Sequence, residues 1–155
     1  MLSRNLTKGR SIFFVDALLL PIFTLVIYTG IKLHTVGHLY ESDHDAWSVW
    51  AHSHIIVSAC SVFGFWLHIN THGGWYKSLL NKGIGSKSKT TLILSFLYLI
   101  LLISGVQLAL FIDESDSAVG LWHYKLGLLI SVLLFVHFIT RLSILKKGLI
   151  IRKKV

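Results

Sequence analysis

Four stretches of this chain, Ile12 to Leu33, Trp50 to Ile69, Thr90 to Ile112 and Leu121 to Leu142, are each as long and apolar as a bilayer crossing requires. Spanning hydrocarbon takes about 20 mostly apolar residues per helix. No water is available there to satisfy backbone polar groups, so such stretches must close their hydrogen bonds internally, as helices do. The four stretches take up most of the 155 residues, 54% of which are hydrophobic, and little chain remains for a separate soluble domain. The sequence therefore predicts an all-α protein, a single transmembrane domain over 1–155 built as an integral membrane four-helix up-and-down bundle. The only proline, Pro21, falls inside the first stretch. A kink is expected there and not a break, because neighbouring helices can satisfy the carbonyl that a proline frees.

The placement of charge decides what the formal net charge of +8 means. Arg4, Lys8 and Arg10 precede the first span, Lys77, Lys82, Lys87 and Lys89 lie between the second and third, and Arg141, Lys146, Lys147, Arg152, Lys153 and Lys154 follow the fourth. Acidic residues do the opposite: Glu41, Asp43 and Asp45 fill the first loop, Asp113, Glu114 and Asp116 the third, and Asp16 stands alone near a span end. An excess of lysine and arginine marks cytoplasmic loops, so both termini are expected to be cytoplasmic. The basic excess then reports topology and contact with anionic lipid headgroups, not nucleic acid. A prokaryotic cytoplasmic (inner) membrane is the expected location. The first loop, His34 to Val49, is expected to face outward, and the Gly, Ser and Lys-rich segment from Gly73 to Lys89 to be a cytoplasmic turn. The basic start followed by an apolar run resembles a signal peptide but lacks a small-residue cleavage site, and it is read as retained. Cys60 is single, which excludes a disulfide framework and a Cys-x-x-Cys-His attachment for covalent haem; it is expected to be a small buried apolar residue.

Nine histidines are many for a membrane chain, where ionisable side chains are costly and suggest function. His54 and His68 are fourteen residues apart on the second span, and His123 and His137 are fourteen apart on the fourth. Fourteen steps of about 100° return to within roughly 40° of the starting direction and rise roughly 21 Å, so each pair shares one helix face at two depths. The second and fourth spans run the same way. His54 therefore lies level with His123 near the outer surface, and His68 level with His137 near the inner one. A porphyrin with an imidazole on each axial face uses such a pair, and two tiers hold two haem b groups non-covalently, His54 and His123 on the outer iron and His68 and His137 on the inner. With both axial positions filled, electron transfer is the expected chemistry. The alternative is a haem-free small transporter or proton-conducting module with the histidines as relay groups.

Histidines fourteen apart on two co-directional spans resemble the di-haem core of cytochrome b in respiratory and photosynthetic bc complexes. Closer still is the resemblance to small bacterial and archaeal four-helix cytochrome b domains, and more distant that to the haem b anchor subunits of formate dehydrogenase and hydrogenase. The stretches that carry it are Thr29-Gly-Ile-Lys-Leu-His34, His54 through Phe65-Trp-Leu-His68-Ile-Asn70, and Trp122-His123 through Val136-His137. The resemblance implies transmembrane electron transfer as a membrane subunit of a larger oxidoreductase, more than an autonomous enzyme. The implied partner is a flavin, iron-sulfur or multihaem protein, with electrons exchanged with quinone.

Other residues are candidates for the same site. Gly64 and Gly127 on the histidine-bearing spans, with Gly105 on the third, can let a flat macrocycle approach the backbone, although glycines also serve helix packing without a cofactor. Ser58 and Thr140 can donate hydrogen bonds around the tiers, and Arg141 can meet an inner haem propionate or simply mark the membrane boundary. His34 and His38, an i, i+4 pair at the outer end of the first span, can bind a divalent ion, a quinone or an additional haem, or act as interfacial hydrogen-bonding residues. His52 breaks the fourteen-residue spacing, because position 66 is Trp66. His72 and His44 are expected to face solvent.

Overall fold

The computed structural model describes residues 2–39, 44–83, 89–111 and 117–152, with side chains described for 11–37, 45–81, 83, 89–111 and 117–140. Five helices follow in order: α1 (Leu2–Leu39), α2 (His44–Thr71), α3 (Gly73–Lys82), α4 (Lys89–Phe111) and α5 (Ala118–Arg152). No strand occurs among the described residues. Four of these helices contain segments long and apolar enough to cross a membrane, Ser11–Gly37, Asp45–Thr71, Lys89–Phe111 and Ala118–Thr140, which marks a multi-pass membrane protein. Large apolar side chains face outward along all four, among them Phe14, Phe63, Phe96 and Phe135. Cys60 is exposed with them, against the expectation that it is buried. In lipid an outward apolar surface carries no penalty, so a small thiol need not be hidden. Several hydroxyls bond back to the preceding turn, as Thr24 to the Leu20 carbonyl at 2.9 Å and Ser53 to the Val49 carbonyl at 2.7 Å. That satisfies a polar group where water is absent.

Three boundaries differ from the sequence expectation. The helix passes Pro21 without a break and continues to Leu39, and α2 starts at His44, so the first loop is far shorter than His34 to Val49. The segment after the second span is not a turn throughout: Gly73–Lys82 forms α3. Its glycines sit at the ends, while Trp75, Tyr76, Leu79 and Leu80 place apolar groups at helical spacing. Gly83 closes it with φ 77°, and its N–H donates to the Leu79 carbonyl at 2.9 Å. Such a left-handed stop suits glycine.

Close backbone packing joins α1 to α2, α4 to α5, and α1 to α5. The sequence suggested no internal repeat beyond the likeness of the second and fourth spans, but the structure extends it to the other two. Positions seventy-five apart on α1 and α4 play matching parts, and so do positions sixty-nine apart on α2 and α5. Leu19 and Leu94 are both buried, as are Ser61 and Ile130. Phe23 and its counterpart Tyr98 meet edge to face with ring centroids 6.4 Å apart and planes at 90°. The described helices thus form two similar hairpins, α1–α2 and α4–α5, with equivalent aromatic rings touching between them. Tyr98 also packs on Phe65 at 4.2 Å and lies 3.3 Å from the Ser61 hydroxyl.

Gly64 is buried where α2 crosses α1, and a Cβ there would lie 2.8 Å from Leu19 Cδ2. Gly64→Ala is expected to destabilise the hairpin by about 1–3 kcal/mol, the usual cost of overpacking. The penalty should shrink in a Leu19→Ala background, as measured by a double-mutant cycle of thermal unfolding in detergent.

Candidate functional site

The His54–His123 tier, expected from the charge pattern to be the outer one, is assembled by both hairpins in the same way. On α1, the Thr29 hydroxyl donates to the Leu25 carbonyl at 2.8 Å and approaches the Val26 carbonyl at 3.1 Å. Its hydrogen is thereby committed, so at 3.0 Å from His54 Nδ1 the hydroxyl oxygen accepts and the ring N–H donates. On α4, the Ser104 hydroxyl donates to the Leu101 carbonyl at 2.9 Å and accepts from His123 Nδ1 at 2.8 Å. Both imidazoles carry their proton on Nδ1 and keep the Nε2 lone pair for a ligand. Fixing a histidine by its other nitrogen in this way is the ordinary support of a metal-ligating imidazole.

Each hydroxyl is followed by a glycine, and the reason lies in the rings. A Cβ at Gly30 would come within 3.1 Å of His54 Cε1, and one at Gly105 within 3.0 Å of His123 Cε1. The imidazoles therefore lie edge-on against bare backbone, clamped between glycine and hydroxyl.

Across the gap between α2 and α5, the His54 and His123 ring centroids are 6.3 Å apart with planes at 85°. An imidazole nitrogen sits about 2.0–2.1 Å from a bound first-row metal, and a five-membered ring with bonds of about 1.33 Å has a radius of roughly 1.1 Å. Two imidazoles on opposite sides of one metal thus have centroids roughly 6.2–6.4 Å apart. The observed separation is of the size that one metal ion between two imidazoles requires. Near-perpendicular planes are compatible, since coordination through Nε2 sets no angle between the two ring planes.

The inner tier is built differently. His68 Nδ1 donates to Asp16 Oδ1 at 2.7 Å, again leaving Nε2 as the free lone pair. The other carboxylate oxygen of Asp16 is 3.7 Å from His72 Nε2, and the His68 and His72 rings are 4.5 Å apart. His72 Nε2 is buried without a hydrogen-bond partner, while 34% of the side chain remains exposed. A one-residue turn at His72 between α2 and α3 folds it back toward Asp16. Ligand atoms of Asp16, His68 and His72 lie within 4.8 Å of one another, a group that could hold a metal ion.

The remaining sequence candidates fall as follows. His137 is half-buried on α5, and its carbonyl accepts from Thr140 Oγ1 at 2.8 Å. The structure brings His54 to His123, whereas the hydrogen bond seen for His68 goes to Asp16. Gly64 packs on Leu19, and a Cβ at Gly127 would meet only Leu101 at 3.9 Å. The Ser58 carbonyl accepts from the Ser61 hydroxyl at 2.8 Å. His34 stacks on Tyr124, beside His123, at 3.7 Å and 20°. His52 is exposed, and its Nδ1 donates to the Ser48 carbonyl at 2.8 Å. The side chains of Arg141, His38 and His44 lie outside the described residues.

Sequence reasoning passed over Asp16, Thr29, Gly30 and Ser104 as site residues. The signal was present as a hydroxyl-glycine dipeptide on each odd-numbered span, Thr29-Gly30 and Ser104-Gly105. Thr29→Val and Ser104→Ala remove the acceptor for Nδ1 with little change of shape. Each is expected to weaken ligand retention at this tier by about 10–100-fold, the usual loss when a ligating histidine loses its support, as read by titrating haem into the purified apoprotein. In comparisons with known proteins, the chain matches no family, no curated protein and no solved structure.

Proposed function

We propose that this chain is a transmembrane electron carrier holding two haem b groups between α2 and α5, with His54 and His123 on the outer iron and His68 and His137 on the inner. The observation that carries this reading is the pair of hydroxyl-anchored imidazoles with centroids 6.3 Å apart. Haem bound there supplies a one-electron couple. The protein's own contribution is to orient four Nε2 lone pairs, to exclude water by burial in lipid and to leave no axial position open. Asp16, Thr29 and Ser104 join the site as orienting groups. Arg141, Ser58 and Gly127 are its further lining, with Arg141 toward an inner haem propionate, whereas Gly64 belongs to the α1–α2 seam against Leu19; His34 with His38 marks a quinone or additional site.

In this reading the helices form a four-helix up-and-down bundle in a prokaryotic cytoplasmic membrane, with both termini cytoplasmic as the lysines and arginines direct. The chain is a membrane subunit of a larger oxidoreductase, receiving or delivering electrons through a flavin, iron-sulfur or multihaem partner and exchanging them with quinone. Reduced-minus-oxidised spectra with a pyridine haemochrome assay test the reading. Two low-spin b-type haems per purified chain are expected, and folded protein prepared with haem supply yet free of haem defeats it.

The buried Nε2 of His72 favours a second reading, a haem-free chain that binds a divalent first-row cation at Asp16, His68 and His72. Metal analysis of the same preparation separates the two. A bound divalent ion lost in His72→Ala, with no haem present, selects the second.

A further inference from the structure

His54 and His123 on one tier and His68 on the other are held by acceptors of different charge. His54 and His123 donate to neutral hydroxyls at 3.0 and 2.8 Å, whereas His68 donates to the Asp16 carboxylate at 2.7 Å. All the α1 acceptors come from one helix, Asp16 thirteen residues before Thr29. The matching position on α4, seventy-five residues after Asp16, is Thr91, so the repeat that made both hairpins alike at the outer tier differs here by a full negative charge.

We propose, resting on the di-haem reading, that Asp16 sets the reduction potential of the inner haem below that of the outer, so that a single electron entering the oxidised protein settles at the His54–His123 tier. An ionised acceptor makes a shorter and stronger hydrogen bond than a neutral one. It draws the Nδ1 proton toward itself and leaves Nε2 a better donor to iron, which favours the more highly charged ferric state. The carboxylate charge acts in the same sense, and His72 Nε2, 3.7 Å from its other oxygen, is the nearest group able to offset it. The Thr29 and Ser104 hydroxyls do neither, since their own hydrogens are spent on backbone carbonyls. Asp16 is thus a positioning residue for His68 that also orders the two cofactors, giving the chain a preferred direction from the Asp16 end of α1 toward its Thr29 end.

Potentiometric titration of the purified holoprotein, followed at the haem α-band with haem stoichiometry measured on the same sample, tests this. Wild type should show two components. In His123→Ala, which lacks the outer pair, the surviving component should be the lower one; survival of the higher one overturns the proposal. Asp16→Asn and Asp16→Thr should raise the lower component and leave the upper in place, with Asp16→Glu restoring the wild-type order. Unmoved potentials in a fully loaded Asp16→Asn protein also overturn it, while the di-haem reading stands. Should the Asp16 variants lose a haem, the reciprocal Thr29→Asp variant decides. It should lower the outer component, and an outer component that stays put or rises overturns the proposal. Protein without any haem instead brings down the reading on which the proposal rests.

Discussion

His123→Ala should leave a protein that folds and inserts but has lost one b-type haem, its pyridine haemochrome falling to half the wild-type value. The expectation follows from the clasp itself. His54 and His123 approach each other from separate hairpins with centroids 6.3 Å apart, while His52, the other histidine at that level of α2, is exposed and bonded to the Ser48 carbonyl. Removing one leaves the opposing imidazole fixed by its own hydroxyl, so a residual five-coordinate, high-spin haem is the most that can survive. The fold should tolerate the change, because little of the close helix packing runs between α2 and α5. His54→Ala should behave the same way, and His52→Ala, whose ring bonds to the Ser48 carbonyl, should leave the spectrum intact. Unchanged low-spin spectra in all single variants of His54, His68, His123 and His137 are the result that rejects the ligand assignment.

Gly105→Val and Gly30→Val are expected to do comparable damage without touching a ligand. A Cβ at Gly105 already lies 3.0 Å from His123 Cε1, and at Gly30 3.1 Å from His54 Cε1. The ring cannot retreat, since moving away stretches the 2.8 Å bond to Ser104 or the 3.0 Å bond to Thr29. A branched side chain must therefore rotate the imidazole out of line with its partner. Haem spectra should show loss of the outer low-spin component, with helix content by circular dichroism preserved. Alanine at the same positions should give an intermediate loss, because a ring edge can give by a few tenths of an ångström. Gly127→Ala is the contrast: its Cβ would make only ordinary contact with Leu101, and little change is expected.

Much of this architecture could be read from the chain because lipid imposes a simple rule. Unbroken apolar runs become helices, and the structure has a span-length helix over each of the four stretches. Boundaries were less legible. A helix need not stop where its apolar run stops, so α1 and α2 extend through His34 and Trp47 into what reads as loop. Glycines flanking Trp75 to Lys82 hid α3. At the site, the fourteen-residue spacing singled out His54 and His123, whose rings the structure sets 6.3 Å apart at 85°, over the nearby His52. The orienting groups were hidden for a physical reason. Thr29 and Ser104 are ordinary residues for a membrane helix, and what distinguishes them is that their hydrogens are already spent on carbonyls, a fact of three dimensions. Asp16 looked like a solitary charge at a span end until the antiparallel packing of α1 on α2 brought it to His68.

The doubling of the α1–α2 and α4–α5 hairpins bears on how the protein is made. Each half contributes a single imidazole to the outer clasp, so the first half leaves the ribosome and enters the membrane with a socket that can grip from one side only. In the di-haem reading, cofactor capture waits until the second half has been threaded in beside it, and the iron, once seated, rivets the seam between the two. Loading at that clasp thereby reports completion, since a chain truncated after its first half offers one imidazole there in place of two.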